Sequence, residues 1–395
     1  MFMIPYETPY YFVFLAILLI PYVVMMLLGK RMVWYQTLIT LFFLYISFAG
    51  PHIQQGIALI LYLIWQTVLI MSYLGYRKRK NSGVVFYLAV VLAILPLAIS
   101  KIFPILHIAD TLFAFLGISY LTFKSVQMIM ETRDGLIKEI NVFHLLQFLV
   151  FFPTISSGPI DRFRRFEKEL NAPVERVKYI ELLDKGTFYI FLGFLYNFLI
   201  SYIINWKLMP HLQGNLLLTG SLKDLLLYMY AYGFNLFFNF AGYSLFAVGT
   251  SYLLGYETPM NFHYPFRAES IKDFWNRWHM SLSFWFRDYV YMRLTYLMVK
   301  KRWFKNRVTV SNLSYLGLFL LMGLWHGLTW YYVAYGLYHA TLIIINDAWI
   351  RYKKKRKDKL PSNLLTRGLS IFITFHAVML GFLIFSGILD KLWFK

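Results

Sequence analysis

The chain has no cysteine. That absence excludes disulfides, thiolate nucleophiles and cysteine metal sites, and any thioester in its chemistry must be brought by a partner. Charge is scarce as well, at 15% of residues against about 25% in soluble domains. Acid is scarcest, with 19 Asp and Glu against 39 Lys and Arg. No GxSxG elbow, Walker loop, GxGxxG fingerprint or HExxH array occurs. No metal site is expected, and without cysteine or a recognisable serine triad a covalent acyl-enzyme on this chain is disfavoured. Linkers, low-complexity segments and solenoid repeats are missing too, so residues 1–395 read as a single integral-membrane domain.

What is abundant is apolar surface. Hydrophobic residues make up 59% of 395, aromatics 20%, and the mean hydropathy is +0.55. Apolar runs of span length lie near 10–29, 32–49, 54–76, 83–103, 110–130, 140–158, 185–206, 224–255, 312–328, 330–350 and 368–389. The run at 224–255 is long enough for more than one segment. These runs predict an all-α polytopic plasma-membrane protein with roughly ten or eleven spans. MFMIPYETPYYFVF at the start lacks a basic n-region and a small-residue cleavage site, so the first span is expected to be retained.

A formal charge of +20 raises nucleic acid as a partner, but the basic residues cluster at span ends, near 30–31, 77–80 and 351–359. Positive-inside topology and anionic lipids account for that excess, and no nucleic acid is expected. The same charge would steer an acidic cytoplasmic protein to the surface. Counting from residue 77 backward and residue 351 forward puts both termini outside.

Of nine histidines, His52, His107, His211 and His263 fall near span ends or loops, where an amphipathic ring is comfortable. His144 and His376 lie in apolar runs and read as hydrogen-bonded core residues. His339 reads as packing support. His326 differs. It stands in LMGLWHGLTWYYVAYGLYH, between Gly323 and Gly327, near a break between two hydrophobic segments. The glycines permit close backbone approach, and an ionisable residue at such a break is a functional candidate. A histidine bonding a neighbouring helix is the alternative.

The stretch IKDFWNRWHMSLSFWFRDYVYMR, 271–293, holds the second candidate. As a continuous α-helix it would place Lys272, Asn276, His279, Ser283 and Arg287 within an arc of about 80°. Phe274, Trp275, Trp278, Leu282, Trp285, Phe286 and Tyr289 would fill a separate arc of about 120°. Asp273 and Arg277 are spaced to pair at i,i+4. Such a helix predicts an aromatic anchor with one wet wall centred on His279.

Two other stretches put polar groups at membrane depth. YAYGFNLFFNFAGYSLFAVGTSYLLG, 230–255, sets Asn235 and Asn239 on one face with Tyr243 a step further round. For the asparagines, interhelical hydrogen bonding is at least as good a reading as substrate contact. FFPTISSGPIDRFRRF, 151–166, predicts a re-entrant break at Pro153, Gly158 and Pro159. A basic amphipathic segment follows, best read as a membrane-surface anchor.

Together, FFPTISSGPIDRFRRF, FFNFAGYS, PMNFHYPFRAESIKDFWNRWHMSLSFWFRDYVY and GLWHG resemble the membrane-bound O-acyltransferase family over roughly 141–345. Within it the chain is most similar to members that move D-alanine in Gram-positive lipoteichoic acid modification. Alginate O-acetylase-like members share much of the motif but continue as YIPLGG where this chain reads YMRLTY (291–296). Asn239 and Leu245 stand where relatives often carry acids, which weakens a catalytic role for 235–245 and leaves the two histidines unaffected.

The resemblance implies a helical bundle with broken helices around Gly158, Gly242 and Gly327 and a central funnel. It implies D-alanine arriving as a phosphopantetheine thioester on a small acidic carrier, DltC, with no cofactor held by this chain. The group would leave outside toward DltD, lipoteichoic acid or a relay such as DltX. On this reading neutral His326 is the general base and His279 orients the donor or stabilises the oxyanion. Asn276, Ser283 and Arg287 would shape the channel. Met292, Leu294 and Tyr296 would dock the carrier, with plain lipid anchoring as the alternative. An O-acetyltransferase of an extracellular polysaccharide and a transporter without chemistry are the competing functions.

Overall fold

The computed structural model describes residues 3–48, 52–104, 106, 115–356 and 363–394. His107 lies outside them. Every regular element among the described residues is helical. The chain divides into two compact units, one of residues 1–193 with 243–259 and one of 194–242 with 260–395.

The first unit opens with α1 (Pro9–Leu27), α2 (Val33–Phe48), α3 (Ile53–Arg79) and α4 (Gly83–Ile102). Their sequences are apolar all round, as helices in lipid must be, since hydrocarbon offers no partner for an open backbone. The basic cluster expected at a span end forms the last turn of α3 as Arg77, Lys78 and Arg79, where it also complements the helix dipole. Next comes α5 (Ile118–Arg133), buried continuously from Leu121 to Thr132.

The apolar run at 140–158 does not make a span. It makes the eight-residue α6 (Val142–Leu149), capped by Asn141, then an irregular turn at 150–158 with Phe151–Ile155 buried. Pro153 cannot extend the helix, and a Cβ at Gly158 would lie 2.6 Å from Thr154 Cα, so only glycine lets the turn close. Lys124 from α5 is 1% exposed and donates to the carbonyls of Phe148 (2.9 Å) and Leu149 (3.4 Å) and to Thr154 Oγ1 (3.4 Å). It thereby satisfies carbonyls that α6 leaves open at its end.

After the turn, α7 (Phe163–Leu170) buries Phe163, Phe166 and Leu170. Two of its arginines form ion pairs: Arg164, itself half-exposed, with the buried Glu131, and Arg165 with Asp161 and Glu169, while Lys168 is exposed. His144, expected to be a core residue, instead meets Glu167 at 3.1 Å and is part-exposed.

From α8 (Arg176–Phe194) the helical run continues through two π-helical stretches, Leu195–Ser201 and Ile203–Leu208, into α9 (Met209–Thr219). The next helix, α10 (Leu222–Leu253), is one continuous element of 32 residues and not two spans, about 48 Å long at 1.5 Å per residue. Both runs pass from one unit into the other.

The second unit continues with the short α11 (Ile271–Trp275) and α12 (Met280–Phe286), a π-helical stretch at Arg287–Tyr291, and α13 (Met292–Lys300). Then follow α14 (Arg307–His326), α15 (Trp330–Lys355), α16 (Leu364–Phe385) and α17 (Ile388–Trp393). α14 and α15 approach so closely that a Cβ on Gly323 would strike Tyr332 O, and one on Gly336 would strike Phe319 O.

Among the described residues, six helical segments are long and apolar enough to cross a bilayer: α1, α3, α4, the 44-residue run Arg176–Thr219, α14 and α16. Fewer helices meet that test than the apolar runs suggested: α2 and α5 have 16 residues each, and α6 is ended by its turn after eight. The molecule is an all-α, multi-pass membrane protein.

Candidate functional site

The site belongs to the second unit and starts with a break. Ser270 caps α11 by accepting from Asp273 N–H (3.1 Å), and Asp273 accepts from Arg277 Nε at 2.8 Å, the pair expected from the spacing. The helix then stops at Trp275. His279 takes a left-handed backbone, φ +42° and ψ +52°, and α12 begins after it.

This break corrects the continuous polar stripe. A stripe at 100° per residue exists only while the helix continues, and here the register is lost within a turn of four residues. Asn276 and Arg287 are exposed. Lys272 points to Asp347 (3.6 Å) and sits 5.7 Å from the Tyr315 ring. Ser283 Oγ donates to Trp278 O (3.1 Å), and Arg287 pairs with Asp288 at 2.9 Å. Of the five residues only His279 turns inward, 5% exposed. The aromatic arc survives the break, with all seven of its members buried.

The second histidine arrives from the other side of the unit. α14 ends at His326, residues 327–329 leave the helix, and α15 restarts at Trp330, which is the break expected of GLWHG. A Cβ on Gly327 would lie 2.6 Å from the Tyr332 ring, so glycine is what lets the chain turn there. His326 is half-buried, with Phe385 edge-on at 4.8 Å and Tyr335 at 6.1 Å.

His279 and His326 line the same cavity of about 60 Å³, floored by Trp275 and Trp278 and walled by Phe240, Tyr335 and Phe385. Its size admits about two waters or a small polar group. Phe240 meets His279 edge-on at 4.6 Å. His279 Nε2 is buried and has no hydrogen-bond partner among the described residues. Such an atom is costly unless something polar occupies the space before it. A neutral imidazole can take a proton at one ring nitrogen and donate a hydrogen bond from the other.

Other expected site residues do not come to this cavity. Asn235 is used between helices: its Oδ1 accepts from Ser201 Oγ (2.9 Å) and its Nδ2 donates to Asn205 Oδ1 (3.3 Å). Asn239 is exposed, and its backbone carbonyl accepts from Asn197 Nδ2 (3.3 Å). Tyr243 falls in the other unit. Met292 and Tyr296 form one exposed apolar face of α13, whereas Leu294 turns toward Gly317 on α14. Phe240, Tyr335 and Phe385 were not singled out beforehand, because an aromatic residue in an apolar run carries no local signal of what it faces. His339 is fully buried between Trp275 (5.1 Å) and Tyr335 (4.6 Å), so it lies behind the cavity wall as packing.

Breaks in two helices thus bring His279 and His326 to one aromatic cavity. The family profile described as membrane-bound O-acyltransferase matches residues 111–385, and the chain belongs to that family. Its relatives narrow the likeness. It is 52% identical to the "Teichoic acid D-alanyltransferase" of Bacillus subtilis (strain 168), over 98% of either chain. It is 46% identical to the protein of that name from Streptococcus thermophilus, over 99% of this chain and 96% of that one. A more distant relative is the "Probable alginate O-acetylase AlgI" of Azotobacter vinelandii, 31% identical over 81% of this chain and 59% of that one.

Proposed function

We propose that the chain is a D-alanyl acyltransferase of teichoic acid modification, working at the His279–His326 cavity. The observation that carries the reading is the meeting of these two histidines in one cavity, each delivered by a break in its helix. Near-full-length similarity to teichoic acid D-alanyltransferases supports the choice of acyl group.

The donor is a D-alanyl thioester on the phosphopantetheine arm of a cytoplasmic acyl carrier, the DltC class. Its thiol must come from outside, because this chain has none. His326, the more open of the two rings, takes the proton of an acceptor hydroxyl as the oxygen attacks the thioester carbonyl. The C–O bond forms, and negative charge develops on the former carbonyl oxygen. His279, as the Nε2–H tautomer, donates to that oxyanion. The tetrahedral centre collapses, the C–S bond breaks, and His326 returns its proton to the departing thiolate. The acceptor is lipoteichoic acid on the outer face, or a relay such as DltD or DltX that passes the group on. Met292 and Tyr296 offer the carrier an apolar docking face, and the basic span ends attract its acidic surface.

The test uses the purified protein in liposomes, radiolabelled D-alanyl carrier protein outside and acceptor inside. Wild type moves label to the acceptor, and a folded His326→Ala protein does not. Undiminished transfer by that variant sinks the assignment of the base. Transfer of acetyl and not of D-alanyl groups would place the chain with the acetylases instead.

A further inference from the structure

His279 holds a backbone conformation that a residue with a side chain keeps only when its surroundings enforce it. The enforcing segment is 261–263. His263 N–H donates to Arg277 O (2.9 Å), and Met280 N–H donates to Asn261 O (2.9 Å). Asn261 Oδ1 also accepts from Ser281 Oγ (2.6 Å) and from Ser281 N–H (3.4 Å). The chain is thus pinned before His279 at residue 277 and after it at 280 and 281, and the ring is left free of the clamp.

Asn261 is wholly buried and Ser281 is 5% exposed, so water does not compete for these bonds. In this orientation the Asn261 amide oxygen accepts both bonds; rotated by 180°, its NH₂ would face the Ser281 N–H, itself a donor. Between the two pinning backbone groups, Phe262 packs edge-on against Phe240 (5.3 Å) and Trp278 (5.0 Å), rings that wall the cavity. One segment therefore sets both the backbone of His279 and the surface against which its ring lies.

We propose that Asn261 is a positioning residue for acyl transfer. Through Ser281 and the 277–280 turn it keeps His279 left-handed and its ring in the cavity it shares with His326. The role rests on the function proposed above. Without the clamp, the turn relaxes toward the right-handed region, and the Cβ of His279 swings away from the cavity.

The experiment compares wild type, Asn261→Ala, Asn261→Asp and Ser281→Ala in the liposome assay, with thermal unfolding recorded for each. Asn261→Ala is expected to lower kcat by about tenfold to hundredfold, the scale of a small misplacement of a catalytic group, with KM for the carrier unchanged. Its His279 should become open to diethyl pyrocarbonate, read by peptide mass spectrometry, while labelling of His326 stays as in wild type. Asn261→Asp keeps the acceptor and should recover most of the rate. Ser281→Ala removes one donor and should show a smaller loss, and it carries the test alone should Asn261→Ala fail to fold. In a His279→Gln background, Asn261→Ala should cost nothing further.

Wild-type rates in folded Asn261→Ala and Ser281→Ala overturn the proposal, as does a full additional loss on top of His279→Gln. A raised KM at constant kcat also overturns it. If His279→Gln itself transfers at the wild-type rate, the function assigned to that ring fails and the positioning role falls with it. Loss in His279→Gln without loss in Asn261→Ala sinks the positioning role alone.

Discussion

Two broken regions carry polar residues inside this apolar protein, and their hydrogen bonds differ. In the first unit, the turn after α6 is closed by Lys124, whose ammonium has three acceptors, and the arginines of α7 meet Glu131, Asp161 and Glu169. In the second unit, the break at 276–279 leaves His279 Nε2 facing a cavity without a partner. At the first break the carbonyls at the end of α6 are met by a buried lysine. The second keeps a donor or acceptor in reserve, which is what a site for chemistry requires. Buried charge in a membrane protein is therefore not by itself a mark of function; an unmet hydrogen bond beside a cavity is a better one.

That contrast can be broken by experiment. His326→Ala should cost the most, about 10²–10⁴ in transfer rate, as removal of a general base does, with little change in thermal unfolding. Equal destabilisation by this variant would make His326 structural and erase the contrast. Lys124→Met should do the reverse. Leaving Phe148 O and Leu149 O without their donor should destabilise the protein by about 1–3 kcal/mol, seen as a lower unfolding temperature, while folded protein still transfers. Lost activity at unchanged stability would bring Lys124 into the chemistry.

Smaller effects sharpen the edges of the site. Met292→Ala with Tyr296→Ala should raise KM for the carrier several-fold and leave kcat alone, since both side chains are exposed on α13. An unchanged KM would assign that face to lipid. Arg287→Ala should be nearly silent, within about 0.5 kcal/mol of stability and close to the wild-type rate, because Arg287 is exposed and its ion pair is with its sequence neighbour Asp288. A large rate loss there would restore the wet wall that the broken helix removes.

Much of the fold was legible in the residues. Long apolar runs with basic ends marked α1, α3, α4, α14 and α16, because a bilayer accepts only helices of span length. Pro153 and Gly158 marked the turn after α6, and GLWHG marked the end of α14. The failures share one cause. Periodicity at 271–293 assumed that the helix continued, but α11 stops at Trp275 and α12 starts only after the left-handed His279. The clamp that enforces this conformation lies about twenty residues upstream, at 261–263, beyond any local window. Likewise the apolar run at 140–158 looked like a span until the turn and Lys124 divided it.

By itself, then, the chain determined its solvent, its helical class, its lack of any thiol and the two histidines worth watching. Those follow from composition and from what lipid forbids. Only tertiary structure decided that His279 and His326 share a cavity, that Asn235 serves helix packing, and that Lys272 and Arg287 face elsewhere. Helical phase carries direction only as far as the helix runs. Beyond each break, hydrogen bonds from distant segments set where a side chain points.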